Sequence, residues 1–196
     1  MRPAARVGEA EDLRATPPGD EAVAAVRLVK LTARHLRGAA AVDQAVSARP
    51  WPVALLAREL EDPQQRCYLA ALAERGDRWS RAAVVGFGGV QQRPDSAHVT
   101  NLAVAPAWQG RGLGRRLLVA LLDQVSARGW GPTTLEVRSA NSAARRLYAG
   151  AGFHEAGRRP GYYTEPPDDA IIMWRPADDA RAAPTAHDDP GEARPC

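Results

Sequence analysis

The chain has 196 residues, of which 45% are hydrophobic and 25% charged, the makeup of a soluble globular protein of one domain plus tails. Its two cysteines stand in an apolar run (Cys67) and at the C-terminus (Cys196), and no His-rich cluster accompanies them, which argues against a disulfide framework and a zinc site. No run approaches the roughly 20 apolar residues of a membrane helix, and the first 20 residues lack the apolar stretch of a secretory signal, so a cytoplasmic location without membrane partners is expected.

Residues 1–24 carry a net charge of −2, contain Pro17-Pro18-Gly19 and show little periodicity, and they read as a disordered leader. Val26–Leu31 is a short apolar run and predicts a first strand. Thr32 is placed to cap a helix through about Val46. Pro50-Trp51-Pro52 breaks the chain, and Pro52 suits the first turn of a second helix with Val53, Leu56, Ala57 and Leu60 on one face. Cys67–Ala73 and Ala82–Val90 are apolar runs of strand length joined by a polar turn at Gly76-Asp77, which predicts a hairpin. Gly86, Gly88 and Gly89 inside the second run point to a bulge or a close neighbour. Ala97–Ala105 reads as a fourth strand. Leu113, Leu117, Leu118, Leu121, Leu122 and Val125 then form one helical stripe. Thr133–Arg138 reads as a fifth strand, Asn141 as the cap of a helix to about Ala151, and His154–Ala156 and Ala170–Trp174 as the last strands. From Pro176 the composition predicts a disordered acidic tail of net −3, leaving residues 25–175 as the folded domain. The order β-α-α-β-β-β-α-β-α-β-β predicts an α/β fold with a mixed sheet and helices on both faces. The domain carries a net charge of +8, which suits a polyanionic ligand such as a nucleotide cofactor or an RNA, although its arginine-rich composition accounts for the excess equally well.

The strongest chemical signal is Gln109-Gly110-Arg111-Gly112-Leu113-Gly114-Arg115, three alternating glycines between a strand and an apolar helix. Glycine lets backbone N–H groups converge on an anion at a helix N-terminus. A P-loop needs a Lys-Ser/Thr pair that is missing here. The dinucleotide fingerprint needs a third glycine where Arg115 stands. A ligand-free flexible loop is the plainer alternative. Glu136 shares a strand face with Thr134 and Arg138, opposite Leu135 and Val137, so it is either a proton acceptor in a cleft or one half of an ion pair with an arginine. Tyr148 lies on a helix face with Ala144 and Leu147, as a core aromatic or as a proton donor. Trp51, Tyr162 and Tyr163 could wall a peptide groove or pack internally.

The run Val104-x-Pro106-x-x-Gln109-Gly110-x-Gly112-x-Gly114 resembles the coenzyme A loop of the GCN5-related N-acetyltransferase (GNAT) superfamily. The resemblance continues through Leu135-Glu136-Val137-Arg138 and Asn141-x-x-Ala144-x-x-Leu147-Tyr148-x-x-x-Gly152-Phe153, and covers about residues 26–175. Within the superfamily, Pro50-Trp51, Arg158-Arg159 before Tyr162-Tyr163, and Asp169–Met173 are similar to the RimI-type branch, which acetylates the N-terminal alanine of a small-subunit ribosomal protein. Pro160-Gly161 before the tyrosine pair departs from that branch.

The resemblance implies a sheet splayed between the fourth and fifth strands, with acetyl-coenzyme A as co-substrate and no metal. It implies a protein N-terminal peptide as acceptor, with no direct nucleic-acid partner. Residues 109–115 and Asn141 would hold the cofactor, and the backbone of Leu102, Ala103 and Val104 would pair with its pantetheine arm. Glu136 would act as base and Tyr148 as acid in a direct attack without an acyl-enzyme, and Trp51, Tyr162 and Tyr163 would line the acceptor groove. A small-amine or lysine acetyltransferase, or a non-catalytic acyl-coenzyme A-binding or ribosome-associated module, are the other readings. Nothing in the sequence decides the oligomeric state, for which a monomer is the default.

Overall fold

The structure is a computed structural model that describes residues 25–74 and 82–177. Seven strands form one sheet: β1 (Arg27–Lys30), β2 (Arg66–Ala73), β3 (Ala83–Arg93), β4 (Ser96–Val104), β5 (Thr133–Arg138), β6 (His154–Thr164) and β7 (Pro167–Arg175). Their spatial order is β1-β2-β3-β4-β5-β7-β6. Among the described residues four α-helices accompany them: α1 (Leu36–Val46), α2 (Val53–Glu59), α3 (Leu113–Ala127) and α4 (Ser142–Ala149). This is the mixed α/β architecture predicted by the element order. The tails at 1–24 and 178–196 and the turn at Gly76-Asp77 lie outside the described residues.

The helices divide the apolar residues between the two faces. Leu36, Ala39 and Val42 of α1 and Leu56 of α2 pack with Tyr68, Ala70, Leu72, Phe87 and Ala103. The whole α3 stripe from Leu113 to Val125 is buried against the opposite face, and the β5 side chains Leu135 and Val137 join Leu118, Leu121, Tyr148 and Phe153 there. Several boundaries differ from the sequence expectation. Pro52 is the N-cap of α2 rather than a first-turn residue, and of the predicted α2 stripe only Leu56 is fully buried, while Val53 is exposed. A 3-10 turn at Ala33–His35 precedes α1, with Thr32 as its cap. The helix capped by Asn141 ends at Ala149. The largest difference is β6, predicted as three residues but running for eleven, almost all exposed. It is an edge strand interrupted by register shifts against β7, so neither of its faces carries the apolar alternation by which strands are recognised.

Two features open the sheet. All strand pairs are antiparallel except β4–β5, which is parallel and holds register only at Ala97↔Thr133 and His98↔Thr134. Beyond those pairs the two strands part, while β5 stays paired to β7 as far as Arg138↔Ala170. The second feature is a bulge: Asn101 faces Gly89 and Val99 faces Val90, which leaves Thr100 as the extra residue of β4. The extra residue reverses the alternation of side chains. Ala97 and Val99 point to the α3 side, whereas Ala103 packs with the α1–α2 cluster. Side chains fasten the bulge from that side. The Thr100 hydroxyl is 2.7 Å from the Tyr68 hydroxyl, which donates to Glu59 Oε2 at 2.7 Å. Gly89 belongs to the same arrangement, because a Cβ there would collide with the Tyr68 ring.

Candidate active site

The split between β4 and β5 has a backbone edge on one side. The Ala105 N–H donates to the Val85 carbonyl at 2.9 Å, towards β3. Alternation along the strand therefore turns Ala103 to β3 as well and aims the N–H groups of Leu102 and Val104 into the split. Of these three residues, two thus have backbone groups available to a ligand and one is committed to the sheet. The Val104 carbonyl accepts from Gln109 Nε2 at 2.8 Å, which ties the glycine loop back to the end of the strand.

The loop is built for close approach. Gly110 and Gly112 have φ of 73° and 78°, in the left-handed region that favours glycine, and a Cβ at either would meet nothing within 4 Å. Gly112 is the N-cap of α3 and offers no side-chain cap, so the first backbone N–H groups of the helix are available to an anion. Arg111 and Arg115 flank these groups. Leu113 is fully buried, so it can meet a ligand only through its backbone. Gly114 differs from the other two glycines: a Cβ there would come within 3.5 Å of Leu147, so it sits where α3 packs near α4. Asn141 is occupied as a cap, its Oδ1 accepting from the Ala144 N–H at 3.0 Å.

At the closed end of the split lies Glu136. Strand alternation puts it on the α1–α2 side with Thr134 and Arg138, as the sequence predicted. Arg138, on the same face, turns away to donate to the carbonyls of Glu165 and Pro166, so the arginine that pairs with Glu136 is another one. Two other residues hold the carboxylate instead: His98 Nε2 lies 3.1 Å from Oε2, and Arg159 Nη1 lies 3.1 Å from Oε1. The hydrogen bond from His98, ahead of the charges of His98, Arg159 and Arg93, holds the Glu136 carboxyl below the ordinary carboxylate range despite its partial burial. His98 Nδ1 in turn lies 3.0 Å from Thr134 Oγ1.

Tyr148 stands on the other side of the sheet. It is buried against Phe153, the ring centroids 5.9 Å apart in an edge-on pair, in the cluster that includes Leu135 and Val137. Burial, with a smaller contribution from Tyr163, pushes its phenol up to about 12. Glu136 and Tyr148 therefore flank β5 from opposite faces.

The three aromatics of the expected groove fall in two places: Trp51 packs, partly buried, against the α1–α2 cluster, and Tyr162 and Tyr163 lie together on β6. The Trp51 N–H donates to Asp43 Oδ2 at 2.6 Å, and burial raises the Asp43 carboxyl above its ordinary range. Two residues earlier, Arg49 Nη2 donates to Thr164 Oγ1 at 2.7 Å, so the α1–α2 loop meets the β6–β7 turn. Tyr162 and Tyr163 form an edge-on pair next to that turn, with the Arg138 guanidinium 4.1 Å from the Tyr163 ring centroid. Sequence reasoning placed Thr134 on the face of Glu136 but missed its link to His98, and it missed His98 and Arg159 as the partners of the carboxylate. His98 meets it through the parallel β4–β5 register and Arg159 through the β6–β7 hairpin, neither of which leaves a local spacing signal.

Among the described residues there is no cluster of His, Cys, Asp or Glu able to hold a metal, and no helix is long and apolar enough to cross a membrane. The chain is 41% identical over 134 residues to the N-alpha-acetyltransferase RimI of Mycobacterium tuberculosis, a match covering 66% of this chain and 78% of that protein. It is 39% identical over 132 residues to an uncharacterized Mycobacterium leprae protein, covering 65% of this chain but only 34% of that longer protein. The crystal structure of the ribosomal-protein-S18-alanine N-acetyltransferase from Escherichia coli superposes with a TM-score of 0.69 at 33% identity, over 80% of this chain and 97% of that one. The profile of the acetyltransferase (GNAT) family matches residues 33–153, which include the glycine loop, the split strands, Glu136 and Tyr148, and the chain belongs to that family.

Proposed function

We propose that the protein transfers the acetyl group of acetyl-coenzyme A to the N-terminal α-amino group of a protein, in particular the N-terminal alanine of ribosomal protein S18. The observation that carries this reading is the layout of the split. A glycine loop and uncapped helix end lie at its open end, free N–H groups of Leu102 and Val104 line its edge, and a desolvated, hydrogen-bonded carboxylate waits at its closed end. The likeness to the RimI enzyme and to the S18-alanine N-acetyltransferase supports the acceptor.

The residues fit the co-substrate. The N–H groups around Gly110–Arg115 and the α3 dipole suit a pyrophosphate, and the space at Gly110 and Gly112 admits it. Coenzyme A, when bound, supplies the acetyl group as an activated thioester. The Leu102 and Val104 N–H groups are placed to orient and polarise a carbonyl in the split. An α-ammonium with a pKa of about 7.7–8.0 must lose a proton to become nucleophilic. Glu136 has its carboxyl held low, so it is a weak base towards a free ammonium. Its task suits the amine during attack, when the nitrogen gains positive character and its protons become far more acidic. Tyr148 stays protonated across the physiological range. With its phenol pushed up to about 12, well above an ordinary thiol at about 8.5, full transfer to a thiolate is uphill. Its role is therefore to donate a hydrogen bond to the departing sulfur rather than to protonate it outright. Trp51, Tyr162 and Tyr163 form the wall along which the acceptor peptide enters from the α1–α2 side.

The test is acetylation, followed by mass spectrometry, of a peptide with the S18 N-terminus against a panel of lysine peptides and small amines. The expected result is a kcat/KM for the alanine peptide at least tenfold above every other acceptor, and a fall of about 100-fold or more in Glu136→Gln. No turnover of the alanine peptide would reject the acceptor. Turnover at the wild-type rate in Glu136→Gln would reject the base.

A further inference from the structure

The hydrogen-bond chain behind Glu136 fixes which of its oxygens can receive a proton, an inference that rests on the reading of Glu136 as base. His98 and Glu136 side chains are only 16% and 19% exposed, so their partners are set inside the protein. The chain runs from Glu136 Oε2 to His98 Nε2 at 3.1 Å, from His98 Nδ1 to Thr134 Oγ1 at 3.0 Å, and from Thr134 Oγ1 to the Ala97 carbonyl at 3.2 Å. The Thr134 hydroxyl has one proton to give. Given to Nδ1, it leaves a neutral ring whose single N–H is on Nε2 and points at the carboxylate. Given to the Ala97 carbonyl, it turns Oγ1 into an acceptor for an Nδ1–H, and a ring that also bonds the carboxylate is then the imidazolium. The remaining arrangement, a neutral ring with a bare Nε2 against a carboxylate oxygen, opposes two lone pairs across 3.1 Å and is disfavoured. In both satisfied states an Nε2–H faces Oε2.

We propose that His98 is a positioning residue that engages Glu136 Oε2 in either charge state, with the Thr134 hydroxyl turning to satisfy the second ring nitrogen, so that Oε1 is the oxygen that takes the proton of the acceptor amine. As the nitrogen lone pair bonds the acetyl carbon, an N–H bond breaks, its electron pair stays on nitrogen, and an O–H bond forms at Oε1. The present neighbour of Oε1 is Arg159, whose side chain is 53% exposed on the edge strand and can turn into water as a cationic amine arrives. The other groups around the pair are Tyr163 from β6 and Arg93 from β3, both electrostatically coupled to Glu136.

The test uses the full chain, with steady-state acetylation of an N-terminal alanine peptide and a 13C NMR titration of the Glu136 side-chain carboxyl. His98→Ala removes the donor. It is expected to lower kcat at least tenfold with KM for acetyl-coenzyme A unchanged, and to raise the Glu136 titration midpoint. His98→Gln puts an amide N–H near the position of Nε2 and is expected to recover most of the rate and bring the midpoint back down. Thr134→Val is expected to lose less than His98→Ala, and His98→Ala placed on Glu136→Gln is expected to cost nothing more. The proposal is overturned by a His98→Ala variant with wild-type rate and midpoint, by a His98→Gln variant no better than His98→Ala, or by a full further loss on the Glu136→Gln background. Wild-type turnover in Glu136→Gln itself rejects Glu136 as the base, whereas an inactive Glu136→Gln beside an unimpaired His98→Ala rejects only the role of His98.

Discussion

Tyr148 illustrates how a residue's role shifts once its surroundings are known. From reference values alone a phenol near 10 and a thiol near 8.5 are close enough for direct proton transfer. Burial among Phe153, Leu135 and Val137 widens that gap, because a phenolate there would lose its water without gaining a cation. The neutral form is thus the one present up to about pH 12, and deprotonation of Tyr148 cannot produce an alkaline fall in rate between pH 7 and 10. The measurement is kcat against pH for the wild type and Tyr148→Phe. Phe keeps the ring in its packing and removes only the hydroxyl, so kcat is expected to fall about tenfold or more at every pH in that range, with the shape of the profile preserved. A curve for Tyr148→Phe that lacks an alkaline limb present in the wild type would contradict the assignment. Glu136 shows the limit of sequence reading at this scale. Alternation in Thr133–Arg138 correctly separated Glu136 from Leu135 and Val137. Its actual partners could not be found that way, since His98 lies 38 positions away and Arg159 lies on a strand that the apolar pattern leaves unmarked.

Two glycines separate what an element needs for folding from what it needs for binding. Gly89 on β3 lies under the Tyr68 ring, with ordinary backbone geometry and no room for a side chain. Gly112 has open space around it but a φ of 78° at the start of α3. Gly89→Ala is expected to cost about 1–3 kcal/mol in urea unfolding, because the ring must move. That movement also pulls the Tyr68 hydroxyl from Thr100 and loosens the bulge that turns the β4 edge. Gly112→Ala is expected to cost about 1 kcal/mol, since alanine there pays only the left-handed penalty, yet to weaken acetyl-coenzyme A at least tenfold by putting a methyl where the backbone meets the ligand. Titration calorimetry beside urea melts distinguishes the two; an acetyl-coenzyme A affinity in Gly112→Ala equal to that of the wild type would refute the argument. The same elements show why most of the fold was legible. The α3 stripe and β5 are each buried on one side, so a period of 3.6 or 2 survives in the sequence. The β6 strand is exposed on both sides and bulged, so its eleven residues carry no period to read.

At the level of the whole molecule, the sheet is held on both sides of a gap that it does not itself close. Helices α1 and α2 clamp β2 to β4 from one face through the Glu59–Tyr68–Thr100 chain, and α3 covers the other. Within the sheet the β5–β7–β6 half joins the rest by only two residue pairs of β4–β5, and off the sheet it is held by the core shared with α3, by His98 on Glu136 and by Arg49 on Thr164. Donors on the β4 edge beyond Asn101 have no strand beside them, which is a standing cost that a ligand can remove. A co-substrate whose arm lies in the gap would act as the missing partner and couple the two halves. A ligand that binds only the folded state stabilises it by about 2.7 kcal/mol at 100 times its Kd. For a chain of this size that corresponds to a rise in Tm of roughly 5–10 °C. Acetyl-coenzyme A is expected to produce that rise, and NAD at the same concentration to leave Tm within about 1 °C, because the third glycine of a dinucleotide loop is Arg115 here. Hydrogen exchange locates the effect: protection should appear at residues 102–104 and 110–115 and extend across the gap to 135–138, while β1 and β2 stay unchanged. Protection confined to the glycine loop would mean that the arm does not enter the split, and the coupling of the two halves through the ligand would then have to be abandoned.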